Sequence, residues 1–113
     1  MKTINYLFTS PPDDDCMISA IKQLKKDIDK KNHVNQCFFY SDSVIIATMT
    51  AYSDTIEKFI DLAESQQIPL YICGAAMQKR QLSISPLGQQ DFISKGLGQF
   101  IEDTKNADHI YQF

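Results

Sequence analysis

The sequence has no tryptophan, only four glycines and four prolines, and three cysteines in 113 residues. So little glycine and proline excludes collagen-like and low-complexity chains. Cys16, Cys37 and Cys73 are an odd number at wide spacing, which suits neither a disulfide framework nor a zinc site of the CxxC type, and at least one thiol must be free. No apolar run approaches the roughly 18 residues that cross a bilayer. Positive charge is not in excess either: 11 basic against 14 acidic residues leave a net charge of −3. That balance argues against holding nucleic acid directly, because phosphate binding needs clustered Lys and Arg, so any link to RNA should be indirect. The opening residues carry one lysine and a short apolar stretch that Asn5 interrupts, with Asp13, Asp14 and Asp15 following. This is not a secretory signal, and the expectation is a cytoplasmic protein that does not enter a membrane.

What is present is 43% hydrophobic and 22% charged residues, the composition of an ordinary soluble globular domain. The length fits one domain over residues 1–113, and the chain shows neither an internal repeat nor a linker. Lys2 to Thr9 reads as a strand that Ser10-Pro11-Pro12 ends. Three aspartates then favour a helix start, and Met17, Ile18, Ile21, Leu24 and Ile28 follow at helical spacing to about Lys31, with Asn32 as its C-terminal cap. Val34 to Tyr40 is nearly continuously apolar, as in a parallel strand buried on both faces. Val44 to Thr50 reads as weakly helical after a turn at Ser41 to Ser43, and Ser53 or Asp54 caps a helix with Ile56, Phe59, Ile60 and Ala63 inward.

A third strand spans Leu70 to Cys73, a short helical stretch runs from Gly74 to Arg80, and Gln81 to Gln90 reads as a polar loop. A brief strand over Phe92 to Ser94, a helix opened by Gly96-Leu97-Gly98 and a closing strand over Ile110 to Phe113 complete the chain. Alternating elements with short connections predict an α/β fold, a three-layer α/β/α arrangement around an open, mostly parallel five-stranded sheet of the Rossmann or flavodoxin-like kind.

Ligand sites in such sheets lie at the carboxyl ends of the strands. Asp42 and the run Asp13 to Asp15 invite a magnesium or phosphoacceptor reading, but the third strand ends in Cys73 where a receiver domain needs aspartate, and helix capping accounts for the acids. No metal site is expected. Gly96-Leu97-Gly98 is not a nucleotide fingerprint, since Ile101 stands where a third glycine is required, and no cofactor is expected. His33 and His109 are isolated.

The three thiols differ in their surroundings. Cys37 lies inside an apolar strand and should be inert, while Cys16 starts a helix among carboxylates that oppose an anion. Cys73 ends a strand and precedes Gly74, Ala75 and Ala76, small residues whose amides can approach a sulfur unobstructed. An ordinary thiol is only about 3% ionised at pH 7, and a helix end worth roughly 0.3–1 kcal/mol does not make up the difference. A cation is needed as well, and Lys79 and Arg80 are the nearest in sequence. A reactive Cys73 and a merely buried one both remain open on these grounds.

Four segments, Phe38-Phe39-Tyr40-Ser41-Asp42-Ser43-Val44, Ile68-Pro69-Leu70-Tyr71-Ile72-Cys73 with Ala75-Ala76, Ser94-Lys95-Gly96-Leu97-Gly98 and Ala107-Asp108-His109-Ile110-Tyr111-Gln112-Phe113, resemble the DsrE family, closest to its TusD-like branch. The likeness runs the whole length. It departs from that branch in a shorter segment between Tyr40 and Ile56 and in Gly74, where the branch tends to carry a branched residue.

The resemblance implies a DsrE-like fold and a sulfurtransferase whose Cys73 carries sulfane sulfur as a persulfide between donor and acceptor carrier proteins. It further implies a homo- or hetero-oligomer with TusB-like and TusC-like sister subunits, working toward 2-thiolation of the tRNA wobble uridine. The family also implies two alternatives, a subunit in oxidative sulfur metabolism and a noncatalytic assembly module. The loop Gln81 to Gln90 is expected to cover or expose the site.

Overall fold

Apolar residues repeating with period two, broken by stretches repeating near 3.6, dictate strands alternating with helices. The computed structural model describes residues 1–113 and bears this out. The strands are β1 (Thr3–Phe8), β2 (His33–Phe39), β3 (Leu70–Cys73), β4 (Ile93–Lys95) and β5 (His109–Gln112). Every pairing is parallel, in the order β4-β3-β2-β1-β5. The helices are α1 (Asp14–Asp29), α2 (Asp54–Ser65), α3 (Gly74–Lys79), α4 (Pro86–Asp91) and α5 (Leu97–Asp103), and the weakly helical stretch is a 3-10 helix over Ser41–Thr48.

The chain steps one way from β1 to β4 and then returns past β1 to place β5. That reversal sorts the helices unequally. On one face Asp27 of α1 meets Tyr6, Phe59 of α2 meets Phe8 edge-on at 5.4 Å, and Phe92 meets Phe39, giving a thick aromatic and aliphatic core. On the other face α5 packs through Phe100 stacked on Phe38 at 4.6 Å. The layers are therefore three, with the second helical layer a single helix of seven residues.

Several local expectations need correction. The first helix stops at Asp29 rather than Lys31, because Lys31 adopts the left-handed conformation at φ 59°. The Asn32 amide then donates to the Asp27 carbonyl at 2.9 Å, closing the helix. Gln67 and Gln81 close α2 and α3 in the same conformation, where glycine is the usual residue, so no glycine marked these ends in the sequence. Ile18, at helical spacing with the core residues, is 42% exposed.

The largest correction concerns residues 81–90, read as a polar loop. Their second half forms α4, and Ser85 is the reason. Its hydroxyl accepts from the Gly88 amide at 2.9 Å and donates to the Met49 carbonyl at 2.6 Å, while its own amide donates to the Ala47 carbonyl at 2.9 Å. One buried serine thus caps the helix and ties it to the 3-10 segment. Gly88 fits there only because it lacks a side chain: a Cβ would lie 2.2 Å from the Ala47 carbonyl oxygen, a backbone atom that cannot swing aside. Gly88→Ala is therefore expected to destabilise the protein by about 2–3 kcal/mol, the upper range for overpacking, read as a lowered urea midpoint at unchanged slope.

Candidate functional site

The carboxyl ends of β2 and β3 lie side by side, since Phe39 of β2 is in register with Ile72 of β3. Each strand hands the chain to a helix there, and the two handovers build one cavity of about 320 Å³. Tyr40 and Ser41 contribute from the end of β2. Cys73, Ala75, Ala76, Lys79 and Arg80 contribute from β3 and α3, and Leu97 from the start of α5.

Ser41 stands in the left-handed conformation at φ 57°, a strained choice for serine. Its turn is held by Ser43, whose hydroxyl bridges the Phe8 and Tyr40 carbonyls at 2.7 Å each. Cys73 occupies the N-cap position of α3, with no helix amide hydrogen-bonded to its side chain. It is 1% exposed, and what access it has is through the cavity. Of the three residues expected to cradle sulfur, Ala75 and Ala76 line the cavity and Gly74 does not.

Both expected cations reach the cavity. Arg80 donates to the Ala76 carbonyl at 3.2 Å and pairs with Asp42 at 3.2 Å, so its guanidinium is fixed at the rim. Lys79, one residue earlier, is exposed beside it. Asp42 is thereby accounted for as the partner of Arg80. Asp13 caps α1 by accepting from the Cys16 amide at 2.9 Å, and nowhere do three His, Cys, Asp or Glu side chains gather as metal ligands would.

The other cysteines are elsewhere, in surroundings that oppose ionisation. Cys37 is fully buried within the sheet, which raises its thiol far above the ordinary range. Cys16 is half-buried by α1, and burial followed by the Asp13 carboxylate raises its thiol too. His33 and His109 are exposed and away from the cavity. Tyr40 and Ser41 escaped the sequence reading although the strand-end rule points to them. Leu97 had no signal, because it is brought over the cavity by the reversal of chain direction after β4.

These features define a class: small α/β domains with a parallel sheet and a single cysteine at a strand-to-helix junction, here beside Lys79 and Arg80. The DsrE/DsrF-like family matches residues 2–113, and the chain belongs to that family. Among curated proteins it is similar to a "Sulfurtransferase TusD homolog" from Pasteurella multocida (strain Pm70), with 30% identity over 103 residues, covering 78% of this chain and 81% of the relative. Among solved structures it resembles the YchN protein of E. coli with a TM-score of 0.79 over the whole of both chains at 19% identity, a likeness of fold. No helix is long and apolar enough to cross a membrane.

Proposed function

We propose that this protein is a sulfur-relay sulfurtransferase that carries sulfane sulfur on Cys73. One observation carries the reading: of three cysteines, Cys73 alone stands at the carboxyl edge of the sheet in a cavity rimmed by Lys79 and Arg80. In the loading step the Cys73 thiolate attacks the outer sulfur of a donor protein's persulfide. A sulfur–sulfur bond forms to Cys73 as the donor's breaks, and the donor cysteine leaves as a thiolate. In the unloading step an acceptor protein's thiolate attacks the same outer sulfur, and Cys73 leaves as a thiolate. Each step exchanges one sulfur–sulfur bond for another, so no external oxidant, reductant, metal or organic cofactor is required.

Lys79 and Arg80 would stabilise the anion that Cys73 becomes at the end of each cycle, and Ala75 and Ala76 leave room for the additional sulfur. The partners are carrier proteins with cysteines of their own, together with DsrE-like sister subunits, and the sulfur is destined for 2-thiolation of the tRNA wobble uridine in the cytoplasm. Membership of the DsrE/DsrF-like family and the likeness to a sulfurtransferase homolog support this reading at the level of sulfur transfer.

The near-complete burial of Cys73 favours a second reading, a noncatalytic assembly module. Mass spectrometry after incubation with a persulfide donor separates the two. The relay predicts a gain of about one sulfur mass on the peptide containing Cys73, removed by an acceptor thiol; a chain that stays unmodified is the assembly module.

A further inference from the structure

A thiol that exchanges sulfur with two proteins must be reached twice per cycle, yet Cys73 is 1% exposed. Something must uncover it. Residues 81–90, the expected cover, do not line the cavity and are pinned to the 3-10 helix through Ser85. Apart from the two strand-to-helix junctions themselves, the element that walls the cavity is α5, through Leu97.

α5 begins without the side-chain cap that opens α1, α2 and α4. It enters from Gly96 and carries Gly98 as its second residue. A Cβ at either glycine would meet nothing within 4 Å. Besides Leu97, which packs against the core, two side-chain fastenings hold it down. One is Phe100 stacked on Phe38. The other is Lys95, the last residue of β4 and in register with Cys73 on the neighbouring strand.

The Lys95 side chain is 12% exposed, and every direction of its ammonium is engaged. It reaches Asp103 at the far end of α5 at 2.5 Å, the Gln36 amide oxygen on β2 at 2.7 Å, and the ring of Tyr71 on β3 at 4.0 Å from its centroid. Gln36 in turn donates to Asn5 at 2.9 Å. The sheet side of this clamp is a fixed, buried polar chain, whereas the helix side is one carboxylate near the surface. The weak link is therefore between Lys95 and Asp103.

We propose that α5 is the movable cover of Cys73 and that Lys95 is the positioning residue that holds it shut by gripping Asp103. The proposal rests on the sulfur-relay reading for its purpose but not for its test. When the grip releases, α5 swings on Gly96, the Phe100–Phe38 stack opens with it, Leu97 leaves the cavity wall, and Cys73 becomes reachable by a partner's thiol. When it re-forms, the loaded sulfur is shielded from stray thiols.

The test is the rate at which iodoacetamide, a small neutral reagent, alkylates Cys73 in the intact protein, with Cys37 of the core as internal control. Lys95→Met is expected to raise the Cys73 rate about fivefold, and Asp103→Asn about twofold to threefold, the scale of one partly exposed ion pair plus a cation–π contact. Cys37 should stay unlabelled in both. The sign is decisive for Lys95: were its charge acting on the sulfur directly, its removal would slow alkylation. A slower or unchanged Cys73 rate in Lys95→Met overturns the proposal, as does faster labelling of Cys37 alongside Cys73, which would mean general loosening. Should Lys95→Met fail to fold, Asp103→Asn decides alone, an unchanged rate counting against the cover. Faster alkylation in a protein that never accepts persulfide sulfur would leave the cover standing and remove the relay; the reverse pair of results would do the opposite.

Discussion

Cys73→Ser is expected to reduce persulfide transfer by at least ~10³-fold, the scale on which loss of a nucleophile acts, while leaving the thermal midpoint within a few degrees of the parent. Serine keeps the size of the side chain and can hold the N-cap position of α3, where Cys73 makes no cap hydrogen bond for it to lose. It cannot replace the chemistry, because a hydroxyl is not ionised near neutral pH and forms no persulfide. Neither remaining thiol can substitute. Burial holds Cys37 neutral inside the sheet, and Cys16 is half-buried beside the Asp13 carboxylate on α1. Sulfur transfer from a radiolabelled persulfide donor to an acceptor protein measures the effect. A Cys73→Ser protein that still transfers at a tenth of the parent rate would remove Cys73 from the reaction.

Asp27→Ala is expected to cost about 3–4 kcal/mol of folding stability, a large part of the 5–15 kcal/mol typical of a small domain. Asp27 is 1% exposed, and three side chains spend their donors on it. The Tyr6 hydroxyl donates at 2.5 Å, the Asn32 amide at 3.0 Å and the Gln23 amide at 3.4 Å. Alanine leaves the buried Tyr6 hydroxyl without its acceptor, opens a small cavity and loosens the closure of α1, which depends on Asn32. Tyr6→Phe removes the same principal bond from the other side, so the double variant should lose less than the sum of the singles, as urea denaturation of all four proteins would show.

The same contact sets a pH dependence. Burial first, and then the hydrogen bond to Asp27, push the Tyr6 hydroxyl far above the usual tyrosine value. The folded state keeps the proton that the unfolded state releases near pH 10, so this stability is complete below pH 10 and is lost as pH rises beyond it. Absorbance at the tyrosinate band should accordingly show Tyr6 ionising only together with unfolding.

Much of the site was legible because it obeys rules that act along the chain. The apolar run into Cys73, followed by three small residues, marks a strand handing over to a helix, and the strand-end rule makes that junction the place to look. Ile56, Phe59, Ile60 and Ala63 of α2 are all buried as their spacing requires. The helix ends at Lys31, Gln67 and Gln81 were illegible because residues that ordinarily avoid the left-handed conformation adopt it there. The buried Asp27 was illegible for a related reason: a carboxylate on a helix reads as a solvated surface residue until its partners on β1 and after α1 are known.

The order of polar and apolar residues alone determined that this chain would alternate strands with helices and that Cys73, not Cys16 or Cys37, would stand at the carboxyl end of a strand. Periodicity and end signals are local, and they survive without knowledge of the rest of the molecule. Only the tertiary structure decided that Asp42 would be the counterion of Arg80, that Ser85 would fasten α4 to the 3-10 helix, and that α5 would lie over Cys73 under the hold of Lys95. Those pairings join residues 8 to 38 positions apart, and whether two such side chains meet depends on the order of strands in the sheet and on the direction in which the chain turns back after β4.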